Sequence, residues 1–202
     1  MTKLKSVFWD VDGTLADTEM YGHRIAFNNA FSEFNLDWEW DVQTYAQLLS
    51  IQGGFNRINY YAKLKKTDLH NSILEKIHER KQEYYKDAIY SGKVPLRIGV
   101  KRLIEEINTN GLSQYIVTTS SRKAVDALIS KHFKNGLNSY FQGYITYEDV
   151  KQHKPHPEAY LKAINVSGIN PERIIVIEDS IPGLLSATKA SLNSILTLPS
   201  FN

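Results

Sequence analysis

Residues 6–15 read SVFWDVDGTL, an apolar run that ends in two aspartates and a glycine. Strand-forming residues followed at once by Asp and Gly indicate a buried β-strand that opens into a loop. Asp10 and Asp12 are two positions apart, so both carboxylates can face the same side at the strand end. Such a pair can supply a nucleophile and a group that exchanges protons with the leaving group. A solvated Asp-Gly turn is the alternative, and the apolar run before Asp10 argues against it.

Four further segments have the composition of strands, and the segments between them have helical periodicity. The strand candidates are residues 114–119, 142–146, 173–178 and 193–198. The helix candidates are residues 100–110, 123–133, 157–166 and 182–190. Strands that alternate with helices of about ten residues predict a parallel sheet covered on both faces, which is a Rossmann-like α/β core.

The stretch 17–92 differs from the rest of the chain. It has little continuous strand pattern and long helical runs, such as residues 69–89, where Ile73, Leu74 and Ile77 recur at helical spacing. Residues 91–95 read SGKVP, which is typical of a linker. We therefore predict a core of residues 1–16 and 93–202, with an all-helical cap of residues 17–92 inserted after the first strand.

The amino-acid composition limits which classes of protein and which kinds of functional site are possible. A chain of 202 residues has room for one domain and an insert, and 24 Lys and Arg against 22 Asp and Glu give no case for nucleic acid or membrane as the main partner. The absence of Cys excludes disulfides, thiolate catalysis and zinc–thiolate sites. The apolar runs are too short to span a bilayer, and the start of the chain does not have the pattern of a signal peptide. We expect a cytoplasmic monomer.

Polar side chains stand at three other predicted strand ends. Residues 117–121 read VTTSS, whose hydroxyl and N–H groups can cradle a phosphate or cap the next helix. Lys154 can neutralise a phosphoryl oxygen as charge builds, or be a loop lysine before a helix that begins with proline. Glu178 and Asp179 are oxygen ligands that suit Mg²⁺, although Asp179 or Ser180 can instead cap the helix that begins near Pro182. Ligands of open α/β folds bind at this edge of the sheet.

The order of these motifs resembles that of the haloacid-dehalogenase superfamily of phosphohydrolases, over nearly the whole chain. The resemblance implies that Asp10 is the nucleophile and forms an aspartyl-phosphate. Asp12 would be the general acid and base and would give its main-chain carbonyl to Mg²⁺. Thr119 and Lys154 would hold the transferring phosphoryl group. An acid at position 12 argues against the dehalogenase and phosphonatase branches. The implied metal ligands are Asp10, Asp12, Glu178 and Asp179.

Segments of the insert resemble the CbbY-like group of this superfamily. They are ADTE at 16–19, GHR at 22–24, AFN at 26–28, LDWEW at 36–40 and GGFNR at 53–57. Characterised members of the group include a xylulose-1,5-bisphosphate phosphatase, and β-phosphoglucomutase is a more distant relative with the same cap. The resemblance implies a small phosphorylated sugar, above all a bisphosphate, as substrate. The candidate substrate contacts are Glu19, His23, Gly53, Gly54, Arg57, Ser120 and Arg122.

The chain departs from this group in two places. Phe55 stands where the group often has a basic residue, so a sugar monophosphate stays open as the alternative substrate. Relatives also usually run on for a few tens of residues past the position of Asn202, so we expect the last part of the core sheet to be missing. Trp38 and Trp40 are interpreted as packing residues of the cap.

The function predicted is that of a Mg²⁺-dependent phosphatase, with two alternatives left open. A phosphosugar mutase would use the same residues and return the phosphate to a rotated substrate. A non-enzymatic, receiver-like signalling domain also places Asp, Thr and Lys on a doubly wound sheet. The long insert and the turn after Asp12 argue against the receiver.

Overall fold

A computed structural model of the protein describes residues 3–51, 53–133 and 139–198. The described residues divide into two compact units. The first unit, which we call the core unit, contains the residues up to Thr18 and those from Val94 onward. The second, which we call the cap unit, is Glu19–Lys93.

Five strands and eight α-helices form the described part of the chain. The strands are β1 (Ser6–Trp9), β2 (Ser113–Val117), β3 (Gly143–Ile145), β4 (Ile174–Glu178) and β5 (Asn193–Leu196). The helices are α1 (Arg24–Glu33), α2 (Val42–Leu48), α3 (Gly54–Leu64), α4 (Asn71–Tyr90), α5 (Val100–Thr109), α6 (Arg122–His132), α7 (Glu158–Ser167) and α8 (Ile181–Lys189). A π-helical turn, Thr18–His23, precedes α1. None of the described helices is long and apolar enough to cross a membrane.

The strands form one parallel sheet in the order β3-β2-β1-β4-β5. This confirms the predicted α/β class. All four residues of β1 are buried, because a central parallel strand is covered on both faces by helices. Trp9 pairs with Ile116 of β2 and with Ile177 of β4. The three central strands therefore end level with one another, and the residues that follow them emerge at the same edge.

The cap unit is all-helical in the described residues, and α1 packs against α4. Its core is aromatic: Phe27 and Phe31 are fully buried against Trp40, with ring centroids 4.5 and 4.9 Å from that indole. Trp38 is 5% exposed and lies edge-on to Phe31. Burial of both tryptophans confirms the interpretation that they pack the cap. Each such ring buries about 150–250 Å², so this cluster dominates the apolar area of a small helical unit.

Candidate active site

The edge where the three central strands end carries most of the predicted site. Asp10 follows β1, Thr118 follows β2, and β4 ends at Glu178 with Asp179 next in the chain. The Asp10 N–H donates to the carbonyl of Ile177 at 3.0 Å, which extends the β1–β4 ladder by one residue and fixes the start of the turn. Asp10 thus leaves the sheet beside the end of β4, where Glu178 and Asp179 stand.

Lys154 joins two buried carboxylates at this edge. Its Nζ atom donates to Oδ1 of Asp10 at 2.7 Å and to Oε1 of Glu178 at 2.5 Å. A third bond, of 2.8 Å, goes to the carbonyl of Val117 at the end of β2. The Lys154 side chain is 5% exposed and that of Glu178 is fully buried. The ammonium is therefore held by a saturated set of acceptors in a place that bulk water does not reach.

Glu178 is hydrogen-bonded through both of its carboxylate oxygens. The Tyr160 hydroxyl donates to Oε1 at 2.8 Å, and the Ser180 hydroxyl donates to Oε2 at 3.1 Å. Ser180 also caps α8, because its hydroxyl accepts from the N–H of Gly183. The residue that caps α8 is thus Ser180 and not Asp179. A Cβ on Gly183 would lie 2.0 Å from the carboxylate of Glu178, so only glycine allows the first turn of α8 to come this close.

Burial shifts the pKa values of the acidic groups upward. It raises the pKa of Asp10 to about 8, against the opposing charge of Lys154. Burial also raises the pKa of Asp179 to about 6, with the nearby Glu178 adding to the shift. For Lys154, burial alone lowers the pKa, but the charges of Asp10 and Glu178 outweigh it and the net pKa lies above its ordinary value. One lysine thus faces more negative charge than it can neutralise.

Asp10, Glu178 and Asp179 form a cluster that can hold a metal ion. One carboxylate oxygen from each lies within 4.8 Å of the others. An all-oxygen donor set with excess negative charge fits Mg²⁺, a hard cation that binds few carboxylates and keeps several waters. Asp12 lies outside this carboxylate cluster, and its side chain accepts a hydrogen bond from the Ser120 hydroxyl. The expected ligand from Asp12 is its main-chain carbonyl.

The turn after β1 depends on Gly13. Its φ of +76° is in the left-handed region, and a Cβ at this position would lie 2.0 Å from Oδ2 of Asp179. The turn itself is tied by the N–H of Gly13, which donates to the carbonyl of Ala16 at 2.9 Å. Glycine therefore serves both the backbone conformation and the close approach of the Asp179 carboxylate.

In the segment after β2, Thr118 has a role that was not among the roles predicted for single residues. Thr118 is buried, and its hydroxyl accepts from the N–H of Ser120 at 3.0 Å. Ser120 in turn donates its hydroxyl to Asp12, so Thr118 helps to position a contact of the predicted acid and base. Thr119, the residue predicted to hold the phosphoryl group, is exposed. Ser121 caps α6, as the capping alternative expected for part of this segment.

Arg122 makes contacts on the surface of the core unit. Its Nη2 atom lies 2.8 Å from Oδ2 of Asp149, and its guanidinium lies 4.5 Å from the centre of the Tyr144 ring. Neither partner was predicted as a site residue. A substrate contact by Arg122 therefore remains a prediction.

In the cap unit, Glu19 and Arg57 meet at the hydroxyl of Tyr45. That hydroxyl donates to Oε2 of Glu19 at 2.5 Å and lies 3.5 Å from Nη1 of Arg57. Burial raises the pKa of Tyr45, so the phenol stays protonated as a donor. The Nε of Arg57 donates to the carbonyl of Ile51 at 2.9 Å. Two of the predicted substrate contacts are thus brought together by Tyr45, which was not among the predicted site residues.

His23 contacts a buried lysine that was not predicted. Nδ1 of His23 lies 2.9 Å from Nζ of Lys81, and its ring stacks on Tyr85 at 3.9 Å between centroids. Lys81 is 4% exposed, and burial lowers its pKa to about 8. No salt bridge in the described part of the chain joins Lys81 to a carboxylate. The sequence could have indicated this residue. Lys81 continues the buried stripe of α4 that includes Leu74 and Ile77, and a charged residue is unusual on such an apolar face.

Gly53 and Gly54 begin α3. Gly53 has a φ of +86°, and a Cβ on Gly54 would lie 2.8 Å from Nε2 of His78. Both glycines thus have a local structural reason for their place in the chain. Their predicted contact with substrate stays a prediction.

Comparisons with known proteins identify what the chain is similar to. A model of the haloacid dehalogenase-like hydrolase family matches residues 7–197. Protein CbbY of Rhodobacter capsulatus is 37% identical over 195 residues, which are 96% of this chain and 86% of that protein. The crystal structure of CbbY from Rhodobacter sphaeroides in complex with phosphate is 33% identical, with a TM-score of 0.69, and the match covers 98% of this chain and 88% of that one. A mutant of the same protein, with the same identity, coverage and TM-score, was solved with xylulose-(1,5)bisphosphate.

Proposed function

The chain belongs to the haloacid dehalogenase-like hydrolase family as a CbbY-like phosphatase, and on that premise we propose that it hydrolyses a small sugar bisphosphate through an aspartyl-phosphate on Asp10. The observation that carries the proposal is the Asp10–Lys154–Glu178 cluster at the edge of the sheet. In this cluster the proposed nucleophile lies beside a buried cation, and a second carboxylate accepts a hydrogen bond from that cation.

The first half of the proposed reaction is phosphoryl transfer. An Oδ atom of Asp10 attacks phosphorus, and the bond from phosphorus to the sugar oxygen breaks. Asp12 gives its proton to the departing sugar oxygen, which leaves as an alcohol. Lys154 and the hydroxyls of Thr119 and Ser120 hold the phosphoryl oxygens while charge spreads over them.

The second half regenerates Asp10. Asp12, now a carboxylate, takes a proton from a water molecule as that water attacks the phosphorus of the aspartyl-phosphate. The bond from phosphorus to Asp10 breaks, and inorganic phosphate and the free carboxylate result. Asp10, Asp179, Glu178 and the Asp12 carbonyl would hold Mg²⁺, which when bound supplies positive charge to the phosphoryl oxygens.

The choice of a bisphosphate rests on the cap unit. The core residues recognise any phosphoryl group, so discrimination between substrates needs other groups. Arg57 offers a planar guanidinium that can grip a phosphate through two donors, and Lys81 is a buried ammonium that makes no salt bridge among the described residues, although the charge of Glu19 acts on it. Glu19 can accept a hydrogen bond from a sugar hydroxyl. CbbY from Rhodobacter sphaeroides, which was solved with xylulose-(1,5)bisphosphate, supports this class of substrate.

The experiment is a panel of sugar monophosphates and bisphosphates, including xylulose 1,5-bisphosphate, with Mg²⁺ or with chelator. Free phosphate and remaining sugar phosphates are both followed by ³¹P NMR. We expect one equivalent of free phosphate from a bisphosphate, in the presence of Mg²⁺ only. An isomerised sugar phosphate with no free phosphate would show the mutase alternative instead. Turnover of monophosphates alone would refute the bisphosphate assignment and leave the phosphatase.

A further inference from the structure

Within the described part of the chain, Arg97 makes three side-chain hydrogen bonds, which link two distant parts of the core unit. Its Nη1 atom donates to the carbonyl of Gly13 at 2.5 Å and to the hydroxyl of Thr197 at 2.9 Å. Its Nη2 atom donates to the carbonyl of Leu198. The N–H of Arg97 also donates to the carbonyl of Leu15 at 2.9 Å. One arginine thus holds the turn after β1 to the segment after β5.

A hydrogen bond to the carbonyl of Gly13 restrains the turn close to Asp12. Gly13 follows Asp12 directly, and its Cα lies against the Asp179 carboxylate. The backbone N–H groups of residues 13–16 are bonded within the turn, to the carbonyls of Val11 and Ala16. The Gly13 carbonyl takes no part in these bonds, and Arg97 donates to it. Because the Gly13–Thr14 peptide is planar, holding this carbonyl restrains the residue that follows Asp12 and so limits rotation of the turn.

The chemistry of the guanidinium suits this task. A hydrogen bond from an ionised donor is shorter and about twice as strong as one between neutral groups. The planar fork also fixes the direction of several bonds at once, which a lysine cannot do. The three acceptors that the Arg97 side chain has among the described residues are neutral oxygens.

We propose that Arg97 is a positioning residue for Asp12, acting through the Gly13 carbonyl. This inference rests on the role of Asp12 in the proposed function. Without Arg97 the Gly13 carbonyl loses this donor, and the turn can shift within the limits that its own hydrogen bonds leave, so Asp12 meets the departing oxygen in poorer geometry. The loss should fall on the step that needs a proton from Asp12 and spare the attack by Asp10.

The test compares leaving groups in single-turnover experiments. An activated aryl phosphate such as p-nitrophenyl phosphate leaves without protonation, whereas an alkyl phosphate needs the acid. In Arg97→Met we expect release of the aryl group within about threefold of wild type and release of the alkyl group slower by about 10- to 100-fold, which is within the range of general acid catalysis. In Arg97→Lys, which keeps the charge and loses the fork, the loss should be intermediate. Thermal unfolding of each variant checks the fold, and Arg97→Lys carries the test if Arg97→Met does not fold.

Two controls separate this inference from its rivals. Thr197→Val removes one acceptor in the segment after β5 and keeps the Gly13 contact, so its alkyl-to-aryl ratio should match wild type. If Thr197→Val changes the ratio as Arg97→Met does, or if Arg97→Met slows both substrates equally or neither, the positioning role is overturned. Asp12→Asn in the same assay tests the proposed function itself. If that variant shows no preference for the aryl substrate, Asp12 is not the acid, and the fault lies there and not with Arg97.

Discussion

Gly13 and Asp179 lie so close that a Cβ on the glycine would be 2.0 Å from Oδ2 of the aspartate. The two residues come from opposite ends of the core sequence and meet because β1 and β4 are neighbours that end level with each other. The contact therefore joins the turn that carries the proposed acid and base to a proposed metal ligand. The carboxylate is the movable partner, since a backbone fixed by its own hydrogen bonds cannot yield as easily.

Replacement of Gly13 by alanine should therefore weaken metal binding more than it weakens the fold. The left-handed φ alone costs about 1–2 kcal/mol in an L-residue. In Gly13→Ala the Asp179 carboxylate must also turn away, so the Mg²⁺ concentration for half-maximal activity should rise at least about tenfold, or about 1.4 kcal/mol. Urea unfolding and Mg²⁺ titration of activity measure the two effects.

Gly111→Ala is the matched control for this prediction. Gly111 has a φ of +70°, and an added Cβ would meet no atom within 4 Å. This variant carries the backbone strain without the collision, so it should lose stability and keep the Mg²⁺ requirement of wild type. An equal Mg²⁺ requirement in Gly13→Ala and Gly111→Ala would show that Asp179 is not displaced.

Asp10→Asn should abolish turnover and keep the fold. The amide is a poor nucleophile, so phosphate release should fall by at least about 10⁴-fold, a loss comparable to removal of other catalytic nucleophiles. Burial makes the charged form of Asp10 unfavourable by more than the attraction of Lys154 offsets, so removal of that charge should not lower the melting temperature without metal. Asp37→Asn makes the same change at an exposed position and should leave activity as it was. Turnover by Asp10→Asn near the wild-type rate would remove Asp10 from the role of nucleophile.

The carboxyl groups of Asp10 and Asp179 should destabilise the metal-free protein as the pH rises from about 4 to 8, the range between the ordinary pKa of Asp and the raised pKa values of this site. Burial raises the pKa of Asp179 to about 6 and that of Asp10 to about 8. In that range these two groups bind more protons in the folded state than in the unfolded state, so their contribution to stability decreases with pH. Burial lowers the pKa values of His23 and His78, which contribute with the opposite sign below about pH 6.5, the ordinary pKa of His. The midpoint of urea unfolding in chelator should therefore be lower at pH 8 than at about pH 6.5. Asp179→Asn should flatten the part of the slope below pH 6, and a slope unchanged by this variant would contradict the assignment.

The fold and the acidic half of the site follow from short local patterns. The apolar run at 6–9 and the one that ends in Glu178 read as buried strands, and the carboxylates that end them must meet where parallel strands end level. It is harder to predict from the sequence which of two neighbouring hydroxyl side chains is buried. Thr118 and Thr119 have the same chemistry, and only the register of β2 decides which is buried.

Local sequence patterns alone do not establish the burial of Lys81 or predict the contacts of Arg97. Lys81 has helical neighbours on every side, and its burial depends on α1 packing against α4. Arg97 binds Thr197, one hundred positions away, and nothing near it in the sequence indicates that contact. The contacts of both residues depend on tertiary packing, which composition and periodicity do not predict.

Lys81→Met should separate stability from activity in the cap unit. Burial lowers the pKa of Lys81 to about 8, which means that the folded protein bears a cost for the charged ammonium. Met has a similar volume without a charge, so the free energy of unfolding at pH 7 should rise by about 1–3 kcal/mol. If the ammonium binds the non-reacting phosphate, kcat/KM for the bisphosphate should fall by about 10- to 100-fold, the value of one hydrogen bond between charged groups. An aryl phosphate, which has no second phosphate, should be affected less than about threefold on the same ground.

Arg57→Ala and a substitution of an exposed lysine are the comparison variants for the Lys81→Met prediction. Arg57→Ala should show the same preference for the aryl phosphate but no gain in stability, because its guanidinium is hydrogen-bonded to the carbonyl of Ile51. Lys76→Met, on the exposed face of α4, should change neither quantity. Wild type should lose bisphosphate hydrolysis above about pH 8, where the Lys81 ammonium gives up its proton. If Lys81→Met does not show this pH-dependent loss, the loss in wild type comes from Lys81. Equal losses on both substrates in Lys81→Met would instead mean that the lysine serves the cap fold and not the second phosphate.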